Sequence, residues 1–253
     1  SRQFYKEMSI GTAVPDNVEL ESAPHHFIQH KSIHENYTVG DFEKEALKKL
    51  DTLFENNDYA ILVGGSGLYI DAVLKGLDEF PEVPVGIRAS VTEKYNDNGI
   101  EWLKTELQNL DPDYFQKVDQ GNPQRMMRAL EVCTASGKRY SSFLKGNEKN
   151  RNFTPIRIGL EAPREEMYSR INQRVELMIE NGLLDEARIL HRNKQLNALQ
   201  TVGYRELFSY FDNEITLDFA ISEIKKIHDA LQSANSLGLR KTQKHFGSIT
   251  KPL

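Results

Sequence analysis

Several short stretches of this sequence carry groups suited to anionic ligands. Gly64-Gly65-Ser66-Gly67 directly follows the apolar run Tyr59–Val63. Glycines let a ligand approach the backbone closely, and a helix beginning beyond them offers unpaired N–H groups to an anion. A tight strand-to-helix turn with no ligand accounts for the same residues equally well. Asn122-Pro123-Gln124-Arg125-Met126-Met127-Arg128 reads as a helix start, with Asn122 as N-cap and Pro123 in the first position. Gln124, Arg125 and Arg128 lie three or four apart and share a face, while Met126, Leu130 and Cys133 take the opposite, buried side. Two guanidiniums and an amide beside a positive helix end suit phosphate or a nucleotide. A solvated charged face is the alternative, and the spacing does not choose between them. Arg170 and Arg174 are four apart and project together. Arginine suits pyrophosphate because it stays ionised and donates two parallel hydrogen bonds. Surface pairing with Glu165 or Glu166 is the commoner use of such a pair.

Other chemistry-bearing residues point nowhere in particular. His25, His26, His30 and His34 are clustered but match no recognised zinc spacing and have no fixed acidic or cysteine partner. Cys133, on the apolar side of its helix, reads as packing.

The elements that must position these groups follow from periodicity. Phe42, Ala46, Leu47, Leu50 and Leu53 recur at helical spacing, predicting an amphipathic helix over 41–56. Asn56-Asn57-Asp58 breaks it, Tyr59–Val63 suits a buried parallel strand, and a helical pattern runs from Leu68 to Leu77. After the proline-marked connection 78–84, the pattern is helical to about residue 146, with Trp102, Leu103, Leu107 and Leu110 on one face. Ile156–Leu160 is a second strand candidate. Residues 164–180 form a long helix with Met167, Ile171, Val175 and Met178 inward, stopped at Asn181-Gly182. The expected fold class is α/β: a parallel sheet flanked by helices over residues 1–83 and 147–253, interrupted by an all-helical insertion over 84–146. Ligands of such sheets sit at the carboxyl ends of the strands, where the glycine turn lies.

Composition adds bounds. The 253 residues are 39% hydrophobic and 27% charged, ordinary for a globular protein, and contain no apolar run long enough to span a bilayer. A single cysteine rules out an internal disulfide framework and a Cys-rich zinc site, and fits a reducing cytoplasm. The net charge of −5 argues mildly against nucleic-acid binding, so any RNA contact must rest on local basic clusters.

Taken in order, the motifs resemble tRNA dimethylallyltransferases. The resemblance is carried by Ser1-Arg2-Gln3-Phe4-Tyr5-Lys6-Glu7-Met8 with Ile10-Gly11-Thr12-Ala13, by Pro24-His25-His26-Phe27-Ile28, and by the Val63–Tyr69 glycine turn. It continues through Asn122–Arg125 and Arg128–Val132, Arg170–Arg174 and Leu199–Glu206, so that it spans Ser1 to about Lys226. The family transfers a dimethylallyl group from its diphosphate to the exocyclic amine of an adenosine beside the tRNA anticodon, with Mg²⁺ on the pyrophosphate. The resemblance implies a P-loop kinase-like core, an insertion that grips the anticodon stem-loop, and a target base flipped from its stack.

It also implies roles for residues here. Ser1, Arg2 and Gln3 should lie against the tRNA and target base; Ser66, where the family usually has threonine, should touch tRNA within the turn made by Gly64, Gly65 and Gly67. Arg88 matches an RNA-contacting arginine. Gln124, Arg125, Met126, Met127 and Arg128 should engage RNA, as should Gln200, Thr201, Val202, Gly203, Tyr204 and Arg205. Arg170 and Arg174, with Ser66, are the expected catalytic residues on the pyrophosphate side. The family's Walker-type loop, and the aspartate before the Ser1 position that serves as its expected general base, are not among these residues, so the sequence is expected to be part of a longer protein with no metal ligand of its own. A cytoplasmic monomer is expected. Residues 228–253 keep only an echo of the family's tail, in Arg240–Phe246, and carry no assignment. Transfer to free adenine nucleotides, a catalytically inactive RNA-binding module and a small-metabolite P-loop kinase are the alternatives; the last explains neither the 124–128 face nor the 199–206 stretch.

Overall fold

Side-chain caps written into the sequence fix where the helices begin. The computed structural model describes residues 2–146, 149–159 and 162–228. Its helices are α1 (Asn17–Ser22), α2 (Val39–Phe54), α3 (Gly67–Lys75), α4 (Val85–Leu110), α5 (Pro112–Phe115), α6 (Pro123–Ser136), α7 (Arg164–Glu180), α8 (Leu183–Leu190), α9 (Tyr204–Phe211) and α10 (217–228). Thr38 caps α2 by accepting from Asp41 N–H at 3.2 Å, while the Asp41 carboxylate accepts from Thr38 N–H at 2.9 Å. This reciprocal pair satisfies two amides that have no intrahelical partner. Asn122 Oδ1 does the same for Arg125 N–H at 3.2 Å, and α6 ends at Gly137, whose φ of 66° only glycine adopts without strain. The chain divides into two compact units, residues 1–74 with 151–253, and residues 75–150.

The first unit is built from both ends of the chain. One core gathers Met8, Val175, Leu183, Leu199, Tyr204, Leu207 and Ile224. A second gathers Phe4, Tyr37, Phe42, Ala46, Leu50, Val73 and Phe153, with Phe42, Ala46 and Leu50 supplying the predicted stripe of α2. Between the sequence-distant parts, Arg151 donates to Glu43 at 2.7 Å and to the Ala72 carbonyl at 2.8 Å.

Neither strand candidate forms a strand among the described residues. Among the described residues Tyr59–Val63 joins no ladder, with Tyr59 in an isolated bridge and 60–63 in no regular element, and β pairing is limited to isolated bridges such as the parallel Tyr5–Lys31 bridge. Ala60 and Leu62 turn toward the aromatic core, whereas Ile61 and Val63 are 90% and 87% exposed. The run therefore alternates with period two instead of being buried on both sides. Residues 156–159 are likewise unpaired, with Ile158 exposed; Leu160, and the tail echo at 240–246, lie outside the described residues.

The second unit is helical. α4 and α6 pack through Val91, Leu103, Leu107, Met126, Ala129 and Leu130, with α5 against α4. Gly99, at φ 73° and ψ −168°, breaks α4 into two helical segments. The fully buried Asp111 carboxylate accepts from Ser141 N–H at 2.6 Å, Ser141 Oγ at 2.9 Å and Tyr114 N–H at 3.0 Å, which offsets its desolvation. Among the described residues no helix is long and apolar enough to cross a membrane.

Candidate functional site

In the first unit, Arg2–Phe4 forms a short 3₁₀ turn anchored by Phe4 in the aromatic core; Ser1 lies outside the described residues. Phe4 meets Tyr69 of α3 in a tilted contact at 5.6 Å, and the Arg2 charge acts on the Tyr69 phenol, whose pKa burial raises nonetheless. Arg2 is thereby brought beside the helix that starts at the glycine turn. Gln3 is already committed, since its amide donates to the carbonyls of Ala13 at 2.6 Å and Thr12 at 3.2 Å. Its Oε1 is what remains to meet a ligand.

The glycine turn is open. Gly64, Gly65 and Gly67 are exposed, and a Cβ built on Gly64 or Gly67 would meet nothing within 4 Å. The protein's own packing does not demand glycine at either position. Ser66 starts α3 by offering its carbonyl to Tyr69 N–H at 3.0 Å and Ile70 N–H at 3.2 Å.

Arg170 and Arg174 both stand exposed on α7, as their spacing predicts. Arg170 is paired with Glu166 at 2.6 Å, one turn earlier. Arg174 makes no ion pair among the described residues, which leaves its guanidinium available.

The 200–205 stretch divides in two. Gln200 and Arg205 are exposed and Thr201 and Val202 partly so, but Gly203 is buried and Tyr204 is fully enclosed in the core. The Tyr204 side chain therefore cannot touch RNA directly, contrary to the sequence expectation. Its hydroxyl donates to Glu186 at 2.6 Å, and burial together with that bond drives its pKa far up. Glu186 also accepts from the backbone N–H groups of Ser9, Ile10 and Gly11, at 2.9, 2.9 and 3.0 Å.

In the second unit, Gln124 and Arg125 are exposed at the start of α6 and Arg128 is half-buried one turn on. Met126 and Met127 belong to the core, at 0% and 8% exposure, so their side chains pack and, contrary to the sequence expectation, do not meet RNA. Arg128 and Arg88 converge on one carboxylate: Glu131, itself buried, lies 3.4 Å from Arg128 and 3.6 Å from Arg88. The arginines are held as a pair while their outer surfaces stay solvated. Arg128 also lies over the Phe80 ring at 5.8 Å, and Phe80 stacks on Tyr140 at 4.8 Å, which in turn meets Tyr114 at 4.6 Å. Burial and the neighbouring Tyr114 push the Tyr140 hydroxyl up to about 12, so it stays neutral in physiological conditions.

Sequence reasoning did not find Glu131, Phe80 or Glu186. Glu131 was within reach, because it sits at i+3 from Arg128 on a helix whose pattern was legible. Glu186 had no local signal.

Comparison with known proteins follows the same span. Residues 3–232 match the model of a family described as IPP transferase. A tRNA dimethylallyltransferase of Flavobacterium johnsoniae is 65% identical over 232 residues, covering 89% of this chain and 75% of that protein; one of Christiangramia forsetii is 57% identical over 226 residues, with the same coverage. Among solved structures, the tRNA isopentenylpyrophosphate transferase of Bacillus halodurans superposes with a TM-score of 0.64 at 30% identity, covering 95% of this chain and 76% of that one. A eukaryotic dimethylallyltransferase acting on tRNA superposes with a TM-score of 0.75 at 22% identity, covering 93% and 60%.

Proposed function

Because the chain belongs to the IPP transferase family, we propose that it transfers a dimethylallyl group from dimethylallyl diphosphate to the N6 amine of an adenosine adjacent to the anticodon of tRNA. The identity of the transferred group is supported by kinship with proteins named tRNA dimethylallyltransferase. The observation that carries the choice of RNA as acceptor is the outer face of α6, where Gln124, Arg125 and Arg128 lie beside Arg88, the two inner arginines sharing Glu131. A chain with a net charge of −5 that nevertheless concentrates guanidiniums on one face has the local basic cluster that phosphate contacts need.

The roles then follow from chemistry. Gln124, Arg125, Arg128 and Arg88 hold the anticodon stem-loop by its phosphates. Arg2, Gln3 and Ser66 face the acceptor base, which must leave its stack to expose the amine. Arg174 donates to the departing pyrophosphate, whose charge grows as the C–O bond to the allylic carbon breaks. Arg170, occupied by Glu166, is the lesser contributor. Gln200, Thr201 and Arg205 supply a further RNA-facing edge. Mg²⁺ would screen the diphosphate. Among the described residues no three His, Cys, Asp or Glu side chains are grouped to hold a metal ion, so its protein ligands are not assigned to them.

The reading includes a P-loop-like parallel sheet in the core, with Tyr59–Val63 and 156–159 as two of its strands, and monomeric action in the cytoplasm. The one-sided exposure of Ile61, Val63 and Ile158 supports the strand assignment.

The test compares dimethylallyl transfer to an anticodon stem-loop RNA with transfer to free AMP, both read by mass spectrometry. Transfer to the stem-loop alone is expected, and Arg174→Ala should lower its kcat by roughly 100-fold. Modification of the nucleotide but not the RNA overturns the proposal.

A further inference from the structure

Two of the RNA-facing stretches, at Arg2–Gln3 and at 200–205, are far apart in sequence, yet one carboxylate connects them. We infer that Glu186 is a positioning residue that fixes these two stretches against each other for the acceptor RNA; the inference rests on the proposed function.

The links are all short. Glu186 Oε2 accepts from Ser9 and Ile10 N–H, each at 2.9 Å, and Oε1 from Gly11 N–H at 3.0 Å. The loop so held folds back on itself through Val14 N–H to the Ser9 carbonyl at 3.0 Å and Ala13 N–H to the Ile10 carbonyl at 3.0 Å, with Ala13 at a φ of 48°. That fold aims the Thr12 and Ala13 carbonyls at the Gln3 amide. On the other side, Glu186 Oε1 takes the Tyr204 hydroxyl at 2.6 Å, and Tyr204 is the residue immediately before Arg205. The Tyr204 ring also presses on Gly11: a Cβ there would lie 2.7 Å from ring carbons and the hydroxyl, which explains glycine at that position.

A carboxylate accepting four hydrogen bonds is at its practical capacity, so Glu186 has no acceptor left for a substrate. Its effect on the reaction must pass through Gln3 and Tyr204. Glu186→Gln is nearly isosteric but replaces one acceptor oxygen by a donor, which opposes a backbone N–H or the tyrosine hydroxyl. The expected outcome is a selective one: KM for the stem-loop RNA rises roughly tenfold while KM for dimethylallyl diphosphate stays within twofold, because misplacement by a fraction of an ångström weakens only the contacts displaced.

The experiment measures both KM values in the full-length protein to which this chain belongs for wild type, Glu186→Gln, Gln3→Ala and the double variant, with thermal melts alongside. Positioning through Gln3 predicts that Glu186→Gln costs markedly less in the Gln3→Ala background than in wild type. Equal rises in both KM values, or full multiplicativity in the double variant, overturn the inference and leave a purely structural knot. If Glu186→Gln does not fold, Tyr204→Phe decides, since it keeps the ring and removes one donor; a rise in the RNA KM alone supports the inference, and no change or an equal rise in both defeats it. A wild-type protein inactive on the stem-loop defeats the proposed function and this inference with it, whereas an active wild type with an unaltered Glu186→Gln variant defeats this inference only.

Discussion

In residues 75–150 the polar links run from three residues, where Asn122 caps Arg125 and Arg128 reaches Glu131, through thirty for Asp111 with Ser141, to seventy for Lys149 with Glu79. In the other unit the corresponding groups lie at sequence separations of 108 for Arg151 with Glu43 and 175 to 177 for Glu186 with Gly11 to Ser9. The helical unit is thus closed over shorter spans, with the cap and inner ion pair of α6 legible within one turn. The other is specified by side chains whose partners no local pattern announces, and it closes long loops to bring them together.

The contrast can be broken most forcefully at Arg151. Arg151→Met leaves the Glu43 carboxylate enclosed without its cation, at an expected cost of about 3 kcal/mol. Hydrogen exchange should then show loosened amides in both α2 and α3, because the arginine joins them, while fluorescence of Trp102, the only tryptophan and a member of the helical unit, keeps its unfolding midpoint. A shifted Trp102 midpoint would mean that the two units share one cooperative transition.

A smaller effect is expected from Asn122→Ala, which removes the α6 N-cap at a cost of about 1 kcal/mol. Here the outcome should be reversed: Trp102 reports the loss and exchange in α2, α8 and α9 stays unchanged. Loss of protection in those distant helices would erase the distinction drawn between local and long-range assembly.

Mild acid sharpens the comparison with the smallest change. In the discontinuous unit, burial and the nearby Lys31 hold His30 below its usual 6.5, and burial with Lys49 does the same for His26. Asp41 is lowered by its hydrogen bonds with Thr38. Glu7 is lowered too, since bonds from Ser32 and Ile33 outweigh the opposing effect of burial. Each of these groups binds its proton less readily when folded, so the stability it contributes is present above the unfolded pKa and is lost as pH falls through the folded one. The histidine part should fade below about pH 6.5 and the carboxylate part below about 4. In the helical unit the resolved shifts, at Tyr114, Cys133 and Tyr140, are all upward on groups that are neutral throughout this range. Protection factors in α2, corrected for the intrinsic slowing of amide exchange in acid, should therefore fall between pH 7 and 5 while Trp102 fluorescence is constant; the opposite order would contradict the assignment of acid sensitivity.

Legibility in the sequence follows spacing within a single helix, in either unit. The α2 stripe Phe42, Ala46 and Leu50, the α6 start at Asn122-Pro123 and the exposed pair Arg170 and Arg174 were readable because each rests on spacing within one helix. The apolar run Tyr59–Val63 predicts a buried strand, yet it forms no strand among the described residues and leaves Ile61 and Val63 exposed, because pairing and burial depend on neighbours from elsewhere in the chain. Tyr204 was carried over as an RNA contact with its motif. It is in fact the core residue that presents Arg205, and a motif cannot distinguish the residue that touches from the one that holds. Met126 and Met127 repeat that lesson at α6.

The cysteine of the helical unit gives a way to watch that unit open. Cys133 is buried, its sulfur accepts the Tyr140 N–H at 3.3 Å, and burial raises its thiol pKa. A thiol so protonated and covered does not react with an alkylating reagent until the helices around it part. With no second cysteine in the sequence to compete, the rate of modification becomes a clock for that parting, readable on the unmodified protein and without any introduced label.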